Sequence, residues 1–268
     1  FYRGFDIGSA KPTVQEQNDL RHHLIDILDW HEEYDANQYA KLAREKILEI
    51  HSHGRLPIIV GGSGLFLRAF WGDTWHDNLP KDEELRAQLN LETSESLYAS
   101  LRISDPQRAA QLHINDKFRI VRALELFYLT GKTFADLTYV QNNQIENKGM
   151  IIKVLPERGQ IHKLIEARSH EMIRQGLIEE TLNLIDRGVT IDCKPMQSIG
   201  YKQVGEYLSG HYSTEKLADM IIVATRQYAK RQYTWFNRVP ATIVLSEAKN
   251  LKSLTQIGMT DLCAGRFE

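Results

Sequence analysis

Ser63 carries the one side chain in the run Gly61-Gly62-Ser63-Gly64, which follows Pro57-Ile58-Ile59-Val60. The apolar stretch before it is short, β-branched and without alternation, the pattern of a parallel strand buried on both faces. Leu65 to Phe70 then resumes at a spacing compatible with a helix. Strand, glycine turn and helix start together put backbone N–H groups and one hydroxyl at the carboxyl edge of a sheet. That is where α/β proteins hold anions and phosphates. A tight turn with no ligand fits the same four residues equally well. Arg168 is the second residue of chemical interest, because it interrupts the apolar positions Ile161, Leu164, Ile165 and Met172 of an expected helix. A buried arginine needs a partner, either a carboxylate in a structural ion pair or a bound anion. Arg226, Lys230 and Tyr233 or Thr234 recur on one face of a long helical segment and form a cationic group. Near the start, Tyr2, Gly4, Asp6, Gly8, Ser9, Lys11 and Pro12 alternate glycines with polar groups, as a functional loop or an irregular surface loop would.

The elements that must position these groups alternate strand and helix. His23 to Ile27 reads as a short strand. Asp35 with Gln38 resembles a capping box opening a helix with Tyr39, Ala43, Ile47 and Ile50 on one face, and Gly54 ends it. The strand at 57–60 follows, giving the strand–helix–strand crossover of a parallel sheet. Beyond Trp71 the pattern becomes helical only. Asp105-Pro106 begins one helix, and Phe118, Val121, Leu124, Leu126, Phe127 and Leu129 line another that Gly131 closes. Residues 73–147 therefore read as a helical insertion, with 141–149 as its polar exit, and residues 1–72 and 148–268 as an α/β core. Met150 to Leu155 returns to the sheet, Pro195 precedes a helix start near Ile199, Lys216 to Phe236 is strongly helical, and Thr242 to Leu245 is a last strand.

A chain of 268 residues is long enough for such a domain with an insertion, and 42% hydrophobic with 25% charged residues marks a soluble globular protein. No apolar run reaches the length of a membrane span, and nothing at the start resembles a signal peptide, so a cytoplasmic protein with no membrane partner is expected. Cys193 and Cys263 lie far apart without metal spacing, which fits a reducing compartment. The ten histidines form no metal pattern; His22-His23 and His51-Ser52-His53 read as strand-edge and helix-end residues. A net charge of −2 argues against a generally basic nucleic-acid binder. Residues 226–238, however, hold Arg226, Lys230, Arg231 and Arg238 and no acid, compatible with one local anionic partner.

The motifs YRGFDIGSAKP, HHLIDI, PIIVGGSGLF, NDKFRIVRALELF with GKT after it, QSIGYKQ and TRQYAKRQYTWF occur in an order that resembles the bacterial tRNA dimethylallyltransferases. The resemblance covers nearly the whole chain, and six spaced motifs together are specific where any one is not. It implies a P-loop NTPase-like parallel sheet core with a helical insertion domain that grips the anticodon stem-loop. It also implies transfer of the dimethylallyl group of dimethylallyl diphosphate to the exocyclic amine of the adenosine 3′ to a tRNA anticodon, with Mg²⁺ and, as expected here, a monomer.

By the same resemblance Ser63 stands where the family usually has threonine, a hydroxyl near the bridging oxygen and the target base, and Arg168 matches a diphosphate clamp. Arg226 and Lys230 are assigned with it to the diphosphate. Arg86, Phe118, Arg119, Ile120, Val121 and Arg122 match tRNA-contacting positions on the insertion side. On the core side the matches are Gln197, Ser198, Ile199, Gly200, Tyr201 and Lys202, then Lys230, Arg231, Gln232, Tyr233, Thr234, Trp235, Phe236 and Asn237. Tyr233 and Trp235 suit base stacking or core packing alike. Asn237 replaces a common arginine, and Phe66 a tyrosine. The family's phosphate loop and the Asp-Ser pair before the stretch matching Phe1, which carries the expected general base, are not in this sequence. The chain is thus expected to be N-terminally incomplete, catalytically crippled as it stands and without a metal ligand of its own. Two other readings stay open: an adenylate isopentenyltransferase acting on free nucleotides, and a non-catalytic RNA-binding homologue. The large insertion and the basic segment weigh against the first.

Overall fold

Helices dominate the computed structural model, which describes residues 1–72, 79–138 and 149–245. Cys263, the first residues of the expected insertion (73–78) and the 141–149 exit up to residue 148 lie outside the described residues. The chain divides into two units, one of Phe1–Asp35, Leu42–Gly64 and Lys148–Glu268, the other of Ala36–Lys41 and Leu65–Asn147. The second unit therefore begins earlier than the expected 73 and takes in a piece of the first long helix.

The first unit holds α1 (Val14–Asp19), most of α2 (Ala36–Ser52), β1 (Ile152–Val154), α9 (Arg158–Arg174), α10 (Leu177–Asp186), α11 (Tyr201–Leu208), α12 (Thr214–Phe236) and β2 (Ile243–Leu245). Between them in the chain, α3 (Gly64–Trp71), α4 (Glu83–Leu91), α5 (Ser94–Ser104), α6 (Pro106–Gln111), α7 (Lys117–Thr130) and α8 (Phe134–Thr138) build the second unit. Strands β1 and β2 pair in parallel, with Lys153 opposite Val244. Lys153, the one charge in that apolar run, is not stranded: its ammonium donates to the Phe236 and Val239 carbonyls at 3.0 and 2.7 Å. It thereby satisfies the carbonyl end of α12, where a cation opposes the helix dipole. The core of this unit gathers Phe5, Leu177, Leu184, Met196, Tyr201, Val204, Leu217 and Ile221. A smaller cluster of Ile165, Ile222 and Ala229, with Ile161 against it, joins α9 to α12.

In the second unit α7 is the central helix. Asp116 caps its start and Gly131, at φ 66°, ends it in the left-handed conformation that glycine adopts without penalty. Ile120, Val121, Ala123 and Leu124 pack with Leu89, Leu97, Leu101 and Ala109 of α4, α5 and α6.

Three expectations need correction. Residues 57–60 form no strand, and Ile58 and Val60 are 74% and 88% exposed. A parallel strand is buried only if strands flank it, and among the described residues only β1 and β2 pair as strands. His23 to Ile27 is not a strand either: Leu24 and Asp26 take φ of 60° and 53°, and a single parallel bridge joins Tyr2 to Leu28. Arg168 is not buried. The inner line of α9 runs through Ile165 and Ser169, while Leu164, 57% exposed, and Arg168 lie on the open side.

Candidate functional site

Gly62 and Gly64 explain why the turn around Ser63 is built of glycine. A Cβ on Gly62 would fall 2.1 Å from the Gln232 amide nitrogen, and one on Gly64 2.4 Å from the Trp235 ring. The Gln232 amide donates to the Gly62 carbonyl at 2.8 Å. The turn is thus pressed onto the last two turns of α12, and Ser63, half-buried, has no hydrogen bond among the described residues. Its hydroxyl is available to a ligand.

The cationic face of α12 runs along the same helix. Arg226 reaches Glu166 on α9 at 3.7 Å, and its Nε is buried with no hydrogen-bond partner among the described residues. Lys230 and Arg231 are exposed, the Arg231 guanidinium lying 5.7 Å from the Tyr228 ring centre. The buried Tyr233 hydroxyl likewise has no partner among the described residues. Thr234 bonds back to the Lys230 carbonyl, Trp235 stacks edge-on against Phe236 at 4.6 Å, and Asn237 is exposed. The Arg168 side chain makes no ion pair or hydrogen bond among the described residues, so the structural ion pair that sequence allowed is absent there.

The opening loop is held from two sides. Glu180 on α10 accepts the Ile7 N–H at 3.0 Å and the Asp6 N–H at 3.3 Å. Lys11, its side chain only 8% exposed, pairs with both Asp6 and Asp26 and donates to the Tyr2 carbonyl. Burial pulls the Lys11 ammonium down, but the bonds to Asp26 and Asp6 outweigh it and hold its pKa above the ordinary value. An open groove of about 530 Å³ beside this loop is lined by Asp6, Glu179 and Glu180 against the single cation Arg187, a poor match for a diphosphate.

Of the core-side positions 197–202, Gln197, Ser198 and Lys202 are exposed, with Lys202 3.9 Å from Glu206. Ile199 is half-buried. Gly200 is buried at φ 98°, its N–H held by Gln203 at 2.8 Å. Tyr201, 1% exposed, spends its hydroxyl on Glu180 and Gly8. Gly200 and Tyr201 therefore shape the site from inside and offer no side chain to RNA.

The second unit sorts its candidates in the same way. Phe118 is 80% exposed and Arg119 largely so, whereas Ile120 and Val121 are core residues that cannot present side chains to a partner. Arg86 and Arg122 both bind Glu125, at 2.9 and 2.6 Å, and Arg122 also donates to the Pro80 carbonyl. Glu125 is fully buried and also accepts the Asp82 N–H at 2.9 Å. Burial alone would raise its pKa, but the Asp82 N–H and the two guanidiniums prevail and hold it below the carboxylate norm. The sign in the sequence that marks Glu125 is an acid inside the apolar stripe of α7. Phe66 packs edge-on against Tyr39 at 5.2 Å, a contact that needs no hydroxyl.

Among the described residues no three His, Cys, Asp or Glu side chains could together hold a metal ion. Asp6 and Asp26 share Lys11, which pairs with both carboxylates. No described helix is long and apolar enough to cross a membrane.

A family model described as IPP transferase matches residues 1–239. A tRNA dimethylallyltransferase of Geobacillus thermodenitrificans is 39% identical over 244 residues, covering 89% of this chain and 77% of that protein. One from Halalkalibacterium halodurans is 37% identical over 266 residues, covering 97% and 81%. Among solved structures, the tRNA isopentenylpyrophosphate transferase of Bacillus halodurans superposes with a TM-score of 0.66 at 35% identity, over 98% of this chain and 84% of that one. A eukaryotic dimethylallyltransferase, described as acting on tRNA, gives a TM-score of 0.81 at 24% identity over 99% of this chain and 71% of that one, a likeness of fold alone.

Proposed function

Because the chain belongs to the IPP transferase family, we propose that it serves to transfer the dimethylallyl group of dimethylallyl diphosphate to the exocyclic amine of the adenosine just 3′ of a tRNA anticodon. The observation that carries the reading is the Ser63 turn locked onto α12, which holds a free hydroxyl beside a helix bearing Arg226, Lys230 and Arg231.

An exocyclic amine is a weak nucleophile, and an allylic diphosphate leaves only when its growing charge is met. In the proposed reaction the carbon–oxygen bond to diphosphate breaks, the bond to N6 forms, and the proton that N6 gives up passes to the released diphosphate or to water. Arg168, with Lys230 and Arg226, supplies positive charge to the departing diphosphate. Ser63 places its hydroxyl between the bridging oxygen and the base. The adenosine must leave its stack, at a cost of roughly a few kcal/mol. Phe118 and Arg119, an exposed ring next to an exposed guanidinium, suit an unstacked loop and offset part of that cost. The architecture in this reading is a P-loop NTPase-like core with the helical unit as its RNA grip, working as a cytoplasmic monomer.

A free-nucleotide substrate is the competing reading, and one titration separates them. The chain is titrated into a labelled anticodon stem-loop RNA with adenosine after the anticodon, then challenged with AMP. Saturable binding that AMP fails to displace supports the proposal. Displacement by AMP, or no binding of the RNA, overturns it.

A further inference from the structure

We propose that Gln232 is a positioning residue for Ser63 and not an RNA contact. This rests on the reading of Ser63 as a group at the reacting centre. The Gln232 amide donates to the Gly62 carbonyl at 2.8 Å, and that carbonyl lies in the same rigid peptide plane as the Ser63 N–H. Fixing the oxygen fixes the plane, and with it the direction from which the Ser63 side chain leaves the backbone. On the other side of Ser63, Gly64 lies against the Trp235 ring, where an added Cβ would come within 2.4 Å. Gln232 and Trp235 are three residues apart and so share a face of α12. The turn thus rests on two supports from one rigid helix, one flanking each side of Ser63. Ser63 itself, with no hydrogen bond among the described residues, is oriented only by its backbone. An amide that is already committed to a carbonyl has one fewer donor for RNA, and Gln232 is half-buried where Lys230 and Arg231 are exposed.

The contact supplies its own test. The three atoms nearest to a Cβ on Gly62 all belong to Gln232, so Gly62→Ala should push the amide off the carbonyl and reproduce Gln232→Ala. Both single variants, the double variant, Ser63→Ala, and Ser63→Ala with Gln232→Ala are placed in a strain whose only copy of the gene is the altered one. Isopentenyl-adenosine formed in newly made tRNA is followed in time, and each purified chain is measured for stem-loop RNA affinity and thermal stability. Gln232→Ala and Gly62→Ala should each slow modification about tenfold to a hundredfold, as a misplaced reacting group does, with RNA affinity and melting unchanged. The double variant should be no slower than either single one, and Gln232→Ala should add nothing in the Ser63→Ala background. If Gln232→Ala melts early, Gln232→Glu, of equal size but unable to donate, replaces it. Early melting of both makes the residue merely structural and overturns the proposal. A loss of RNA affinity at unchanged rate under saturating RNA, or additive effects, overturns it too. Should Ser63→Ala itself leave modification untouched, the reading of Ser63 fails first, and that outcome is distinct from a failure at Gln232 alone.

Discussion

The Tyr201 hydroxyl donates to Glu180 at 2.6 Å while accepting the Gly8 N–H at 3.1 Å. One buried phenol therefore ties the start of α11 to α10 and to the opening loop. Burial, and then the Glu180 carboxylate beside it, push the Tyr201 hydroxyl far above the ordinary phenol range, so it stays a donor at any working pH. Gly8 shares the constraint, since a Cβ there would come within 2.5 Å of the Tyr201 ring.

Tyr201→Phe should cost about 1–3 kcal/mol, because it leaves the Gly8 N–H without its acceptor and removes a donor from Glu180. Urea denaturation of the purified chain measures it. Unchanged stability with weakened RNA binding would return Tyr201 to the role of an RNA contact.

What was legible in the sequence was mostly local. The start of α2, Pro106 at the start of α6, Gly131 after α7 and the span of α12 follow from capping groups and periodicity that need no distant partner. The 57–60 segment was misread because burial on two faces depends on neighbouring strands, which its own residues do not specify. Arg168 was misread for a geometric reason. The apolar set Ile161, Leu164, Ile165 and Met172 is wider than one line, and residue 168 lies about 100° round the helix from residue 169 on the buried side. Motif positions such as Ile120, Val121, Gly200 and Tyr201 show the remaining limit. Spacing places a residue at a site, but it does not say whether the side chain faces a ligand or holds the backbone that does.

Glu125 gives the second unit a pH dependence with a definite sign. Its folded pKa lies below the ordinary 4.5, so its contribution is fully present above that value and is lost as pH falls through the lower folded one. Glu125→Gln should flatten that acid limb and destabilise the unit by about 3 kcal/mol at neutral pH, since it leaves Arg86 and Arg122 without their counter-charge. Denaturation followed between pH values on either side of 4.5 checks both parts.

Arg168→Gln should leave stability within about 0.5 kcal/mol, as for an exposed side chain with no partner to lose. Binding of dimethylallyl diphosphate to the chain, read by calorimetry, should weaken. Early unfolding with normal diphosphate binding would make Arg168 a structural residue.

Ser63→Ala should slow transfer while stem-loop RNA affinity stays nearly unchanged, because the hydroxyl acts where bonds change and not where the RNA is gripped. A loss confined to RNA affinity would assign Ser63 to the RNA site alone.

The central claim, prenylation of the adenosine beside the anticodon, is tested most directly by mass analysis of nucleosides from total tRNA of a strain deleted for this gene. The account predicts that isopentenyl-adenosine and its derivatives vanish from tRNAs carrying that adenosine and return when the gene is restored. Retention of all isopentenyl-adenosine in the deleted strain would contradict it.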